Sequence, residues 1–340
     1  FTTVTGDPGD HGLRQSLSST SEDLAETVAR TATGLDSTII DLEKQLDSYV
    51  DQANTLVATL ASVNEAINAS GDPVGAGDLL DERDRLAQQI SNITGGKISY
   101  GESGQVNLYV GGHAIVSGVE SRELSVGIDT NGDPKILMET GGGNVDVTSV
   151  LEGTLGGSIE GRETTKGYLD SLNTFASTFA DALNTQHAVG FDLNGTAGSD
   201  VFTYTVGNEA MSLGFSSAIG DDDSQWAFAG TSTSGVGDDT NLKLLIDLEG
   251  TSLFTSGTET SGEFLGSLLN TVAADVTKAT NNAQAAAAHA DDVEGLMASL
   301  TGVDLDQEAI SLIEFQAAYQ ASAKVVQAAD QMLQVLLNTI

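Results

Sequence analysis

One row of positions, Leu35, Ile39, Leu42, Leu46, Tyr49, Ala53, Leu56, Leu60, Val63 and Ile67, steps by four and three without a slip. A period of that kind, held over so many turns, calls for a helix with a covered apolar stripe, which is coiled-coil packing. The phase extends back through Thr31, Val28 and Leu24 to Leu17, giving a helix of about 75 Å at 1.5 Å per residue. Gly34 is the expected site of a break or kink.

Two more helices share this grammar. After a Gly/Asp/Pro turn at residues 70–78, DLLDERDRLAQQISNI carries the row Leu79, Arg83, Leu86, Ile90 and Ile93, with Asp78 as the expected N-cap. It is expected to fold back on the first helix as an antiparallel hairpin. From Gly262 a third long helix carries Leu265, Leu269, Val272, Val276, then four alanines, Val293, Met297 and Leu300, and Gly302 ends it. Leu35, Leu42, Tyr49, Leu56, Val63, Leu79, Leu86, Ile90, Leu269, Val276 and Val293 are therefore the candidate seam of a helical rod.

The last stretch has two apolar faces. Asp304 and Gln307 have the spacing of a capping box. A seam follows through Leu305, Leu312, Tyr319, Val326, Leu333, Leu337 and Ile340, about 54 Å long. Beside it lies a second row that includes Ile313, Val325 and Met332. Such a helix does not stay alone in water, so these ten residues are the candidate assembly interface. Gln316 and Asp330 are expected to fix register. Lys324 is expected to be solvated or paired with a neighbouring subunit. Gln327, Asp330, Gln331 and Gln334 interrupt any membrane-spanning run.

Between the helical blocks the period changes to two. Residues from Lys97 to about Thr140 read as short strands with Gly-rich turns, and Asn131-Gly132 is a hairpin signal. Residues 163–188 return to helix, with Leu172, Phe175, Phe179 and Leu183 on one face, and Val201 to about Gly257 reads as β again. The fold class expected is α+β: a long antiparallel coiled-coil or helical-bundle rod built from the N- and C-terminal segments, with β-rich outer parts inserted. The divisions are 1–95 (helical rod), 96–162 (β), 163–190 (helix), 191–260 (β), 261–302 (helical rod) and 303–340 (assembly helix).

Composition excludes whole classes of partner. Against 49 acidic residues stand 13 basic ones, for a net charge of −36, so neither nucleic acid nor an anionic membrane is an expected partner. That balance also fits a halophilic or marine source. There is no cysteine, hence no disulfide or thiolate site. His11, His113, His187 and His289 are scattered, and no nucleophile or phosphate-loop motif stands in its proper context. No enzymatic activity, cofactor or metal site is expected. Asp129, Asn131 and Asp133 have calcium-loop spacing, but Pro134 and Thr140 stand where such a loop needs Gly and Glu. A hairpin turn is the better reading. No stretch reads as a secretory signal peptide, and the chain opens at Phe1 inside a loop-like stretch, as a fragment or processed chain would.

The tail GVDLDQEAISLIEFQAAYQASAKVVQAADQMLQVLL resembles the terminal segment shared by hook-associated, hook and rod proteins of the bacterial flagellum. LLDERDRLAQQIS after a long helix is similar to the first hook-associated protein family, the FlgK family of the hook–filament junction. So is the run of Asn184, Gln186, His187 and Gly190 followed by FDLNG. The resemblance implies a structural role as a junction ring of subunits, with the terminal helices lining an inner tube. It implies an extracellular location, reached through the flagellar type III apparatus. The implied partners are further copies of the chain, hook protein, the second hook-associated junction protein and an export chaperone on the C-terminal helix. It further implies an N-terminal helix that pairs with the C-terminal one; no such segment precedes Phe1 in this sequence, and these residues alone are expected to form no tubes. The alternatives are another axial subunit of filament type, or an acidic calcium-binding surface adhesin.

Overall fold

The computed structural model describes residues 1–71, 77–101 and 104–301, with side chains described through Met297. After a 3-10 turn at Thr2–Gly6, Asp10 opens the first helix. Its carboxylate accepts the Leu13 N–H at 2.9 Å, satisfying a donor that helix starts leave orphaned. α1 then runs unbroken over His11–Ser70, 60 residues, or about 90 Å. It ends at Gly71 with φ 66, the left-handed cap that glycine supplies without strain. Gly34 does not interrupt it. A single glycine costs a helix about 1 kcal/mol, and packing on both sides of that point outweighs it.

α2 (Gly77–Thr94) folds back along the second half of α1. Asp78 lies inside its first turn rather than at the cap, where a carboxylate still favours the helix dipole. α3 (Gly153–Ala188) begins ten residues before the expected Glu163. The glycines of EGTLGGSIEGRE look like punctuation, yet Leu155, Ser158, Ile159 and Arg162 form a buried stripe through them. α3 runs antiparallel to α1: its first half shares a core with Leu46–Leu60, its second half with Leu17–Ile39.

Between α2 and α3 lie two antiparallel meanders. β1 (Lys97–Tyr100), β2 (Val106–Val110), β3 (His113–Ser117) and β4 (Glu120–Ser121) form one sheet in chain order. β5 (Leu124–Ile128), β6 (Pro134–Thr140) and β7 (Gly143–Asp146) form the other. Alternation buries Val106, Leu108 and Val110 on β2, and Ile136 and Met138 on β6, against α1 and α2. The Asn131-Gly132 hairpin joins β5 to β6 as expected, through a loop at Asp129–Asp133. The insert closes on itself, because the Glu152 N–H donates to the Thr94 carbonyl at 3.1 Å.

Residues 191–260 depart from the β reading. Among the described residues they hold a ladder of two residue pairs, β8 (Phe202–Thr203) with β9 (Gly214–Phe215), and the helices α4 (Ser217–Asp221) and α5 (Thr240–Asp247). Weak alternation does not make strands here because buried aromatics organise the segment instead. Trp226 stacks on Phe228, and Phe202 meets Phe215. α6 (Ser261–Thr301) opens with a reciprocal cap: the Thr260 N–H donates to Glu263 at 2.9 Å and the Glu263 N–H to Thr260 Oγ1 at 3.3 Å. Phe1–Asn270 form one compact unit and a second begins at Thr271. Among the described residues no helix is long and apolar enough to cross a membrane.

Candidate assembly surfaces

The stripe of α1 keeps one seven-residue register along its whole length. Ser18, Ala25, Ala32, Ile39, Leu46, Ala53, Leu60 and Ile67 are all buried. Leu35, Leu42, Tyr49, Leu56 and Val63 flank that line on one side and are half-buried. Val50, Val57 and Asn64 flank it on the other and are buried. Upstream of Leu35 the expected row holds at Val28 and Leu17, which are buried, and misses by one residue at two positions: Leu24 and Thr31 face solvent, while Ala25 and Ala32 are covered. Small side chains mark this half because α3 and the 191–260 segment pack closely on it.

Of the other seam candidates, Leu86 and Ile90 are buried against α1 and Leu79 is half-buried. On α6 the same spacing has a different outcome. Leu269, Val276 and Val293 are 69%, 60% and 56% exposed, as are Leu296 and Met297 at 64% and 59%. Period alone does not say whether a stripe is covered within its own chain. The candidate interface from Leu305 to Ile340, with Leu312, Ile313, Tyr319, Val325, Val326, Met332, Leu333 and Leu337, lies outside the described residues.

Polar side chains that hydrophobic rows do not reveal fix the insert to the helices. Asn54 of α1 accepts the Leu124 N–H and donates to the Leu124 carbonyl, both at 2.8 Å. Asn64 accepts the Val106 N–H at 3.0 Å and donates to the Val106 and Gly118 carbonyls at 2.8 and 2.7 Å. On α3, Asn184 does the same for Val201 and Phe202. Each amide presents a donor and an acceptor to backbone as a neighbouring strand would. Their only trace in the sequence is an Asn beside or within an apolar row.

Two arginines complete the attachment. Buried Arg83, from DERD, donates to the Gly104 carbonyl and to Asp84 at 2.9 Å, and lies over the Tyr100 ring. Arg162 Nε donates to Glu43 of α1 at 2.7 Å and its Nη1 to Asp133 of the β5–β6 turn at 2.9 Å. Lys166 reaches both Asp133 oxygens, at 2.7 and 2.8 Å. The Lys166 contact first, then Arg162, holds the Asp133 carboxyl below its ordinary range. In the Asp129–Asp133 loop, Asp129 caps its own turn by accepting the Asn131 and Asp133 N–H groups.

With this geometry in place, comparison with known proteins decides the family. A family model described as the flagellar hook-associated protein FlgK helical domain matches residues 1–202. The chain belongs to the FlgK family. It is a structural protein of the flagellum, of the hook–filament junction type. A second model, the C-terminal segment of flagellar basal body rod proteins, matches residues 297–339 of this FlgK-family chain. Flagellar hook-associated protein 1 of Escherichia coli is 24% identical over 99% of the chain and 78% of its own length. The Bacillus subtilis protein of that name is 24% identical over 98% and 73%. That of Salmonella typhimurium is 30% identical over 59% and 38%. The flagellar hook junction protein FlgK from Burkholderia pseudomallei superposes with a TM-score of 0.54 over 60% of the FlgK-family chain and 38% of its own, at 23% identity.

Proposed function

We propose that the chain works as one subunit of a ring between hook and filament. It leaves the cell through the flagellar type III apparatus and binds hook protein on one side and the second hook-associated junction protein on the other. In this reading its divisions follow the pattern of the sequence, with helical blocks at 1–95 and 261–302 framing the outer parts and 303–340 serving assembly. An export chaperone covers the C-terminal segment before assembly, since two apolar faces left bare in the cytoplasm aggregate.

The observation that carries this reading is the open apolar row of α6. Leu269, Val276 and Val293 recur at seam spacing and face solvent, in a family whose members assemble. A large apolar side chain covered on assembly contributes about 1.5–3 kcal/mol, so a row of them is a drive to associate. Immunogold microscopy of source cells, with antibody against residues 96–151, tests the placement. A narrow band where hook meets filament is expected. Label along the filament replaces the junction role with a filament-type subunit, and label away from flagella overturns the reading.

A further inference from the structure

The second half of the first unit's helical frame ends at a histidine that no assembly role uses. His187, in the last turn of α3, is fully buried. Its Nδ1 lies 2.6 Å from the Ser199 carbonyl, and its Nε2 accepts the Ala227 N–H at 2.9 Å. A carbonyl can only accept and an amide N–H can only donate, so the ring is neutral with its proton on Nδ1. One imidazole thus joins α3 to two separate passes of the 191–230 segment.

Its neighbours decide what a second proton would do. Trp226 packs edge-on against the ring at 5.6 Å between centroids. Arg14 of α1 is buried beside it, donating to the carbonyls of Pro8, Asp223 and Trp226 and lying over Phe228. The Ser199 carbonyl, then Asp200 and Asp192 on the loop after α3, act in favour of a proton, and Arg14 acts against it. Asp223 is engaged on the far side by His11 at 2.7 Å. Burial is the largest influence and keeps the imidazole below its ordinary pKa.

We propose that His187 is an acid-sensitive latch on the 191–230 segment. A protonated ring carries N–H on both nitrogens, so Nε2–H points at the Ala227 N–H and the bond becomes a donor–donor clash. The new cation also faces the Arg14 guanidinium inside a core with little water. Both effects favour a state in which the segment leaves α1 and the ring reaches solvent. Because the closed state holds the lower pKa, the latch is strongest above the ordinary histidine value and weakens as pH falls below it. Between the two pKa values the opened fraction rises about tenfold per pH unit, the consequence of one proton taken up on opening.

Trp226 is the only tryptophan in the chain and reports on the contact directly. The test is its fluorescence in the full chain as pH is lowered from about 8 to about 5, for wild type, His187→Gln and His11→Gln. A transition with its midpoint below the ordinary histidine range is expected in wild type and in His11→Gln. It is expected to vanish in His187→Gln, whose amide does not titrate. If the transition survives in folded His187→Gln, carboxylates carry it and the latch is overturned. Nitrogen NMR of the wild-type ring keeps the question answerable should the Gln variant not fold. The ring should stay neutral, protonated on Nδ1, until the Trp226 signal moves; titration at the ordinary value with Trp226 unmoved refutes the idea.

Discussion

Arg162 Nη1 lies 2.9 Å from the Asp133 carboxylate, and the same guanidinium holds Glu43 through Nε at 2.7 Å. One side chain therefore ties α1, α3 and the β5–β6 turn together. Losing the Asp133 charge leaves the buried Arg162 guanidinium with Glu43 but without its second carboxylate, which removes part of the compensation a buried charge needs. Asp133→Asn is expected to destabilise the chain by about 1–3 kcal/mol, read as a lower urea midpoint with unchanged slope. The pH dependence follows from the lowered Asp133 pKa. Its stabilisation is complete above the ordinary aspartate range and is lost as pH falls through the lowered value. Asp133→Asn should flatten that acid limb; an unaltered limb counts against the network.

Asn64 makes three hydrogen bonds to the backbone of Val106 and Gly118. Asn64→Leu keeps the bulk and leaves Val106 and Gly118 unsatisfied, at a cost of about 2–4 kcal/mol. Hydrogen exchange of the Val106 amide should accelerate in step with the loss of stability. Protection that stays at wild-type level would mean another group satisfies it.

Two glycines should respond in opposite directions. Gly34 sits mid-helix with open space where a Cβ would go, so Gly34→Ala should stabilise by about 0.5–1 kcal/mol. Gly95 has φ +70, and a Cβ there would stand 2.2 Å from Glu152 Cβ. Gly95→Ala should destabilise by more than about 2 kcal/mol, since strain and overlap add. Thermal melts of the pair decide it: equal shifts would contradict the packing at that joint.

On α6, Val276→Lys changes an exposed position. Stability should move by no more than about 0.5 kcal/mol, while incorporation at the hook–filament junction is lost. A variant that melts normally and still incorporates removes α6 from the assembly surface.

Salt offers a global check. With a net charge of −36, self-repulsion opposes the folded state at low ionic strength, and screening relieves it. The melting temperature should climb steadily with added sodium chloride. A flat response would end the halophilic reading.

The seam from Leu35 to Ile67, the hairpin return of α2 and the meander after Lys97 were all legible, because large apolar residues at a fixed period leave few alternatives. Upstream of Leu35 the expected row found buried Val28 and Leu17 but passed over Ala25 and Ala32 for their exposed neighbours Leu24 and Thr31. Ser18, Ser21 and Ala25 bury as well as leucine does where helices approach closely, yet they leave no apolar mark. The start of α3 was hidden for a related reason, its glycines being spacers within a helix and not turns. The contacts that attach the insert, from Asn54, Asn64 and Arg162, and those of Asn184 to Val201 and Phe202, join residues well separated in the chain, and no local pattern announces them. Period equally failed to separate the covered stripe of α2 from the open one of α6.

Both α1 and α3 pass from the aromatic core around Trp226 into the core beneath the sheets. Neither contains proline, and α1 crosses between the cores without a hinge. Bending the first unit at its waist therefore means breaking two antiparallel helices at once, along with the hydrogen bonds inside each. A part built that way behaves as a stiff strut: torque applied at one core arrives at the other as rotation, with little lost to flexing.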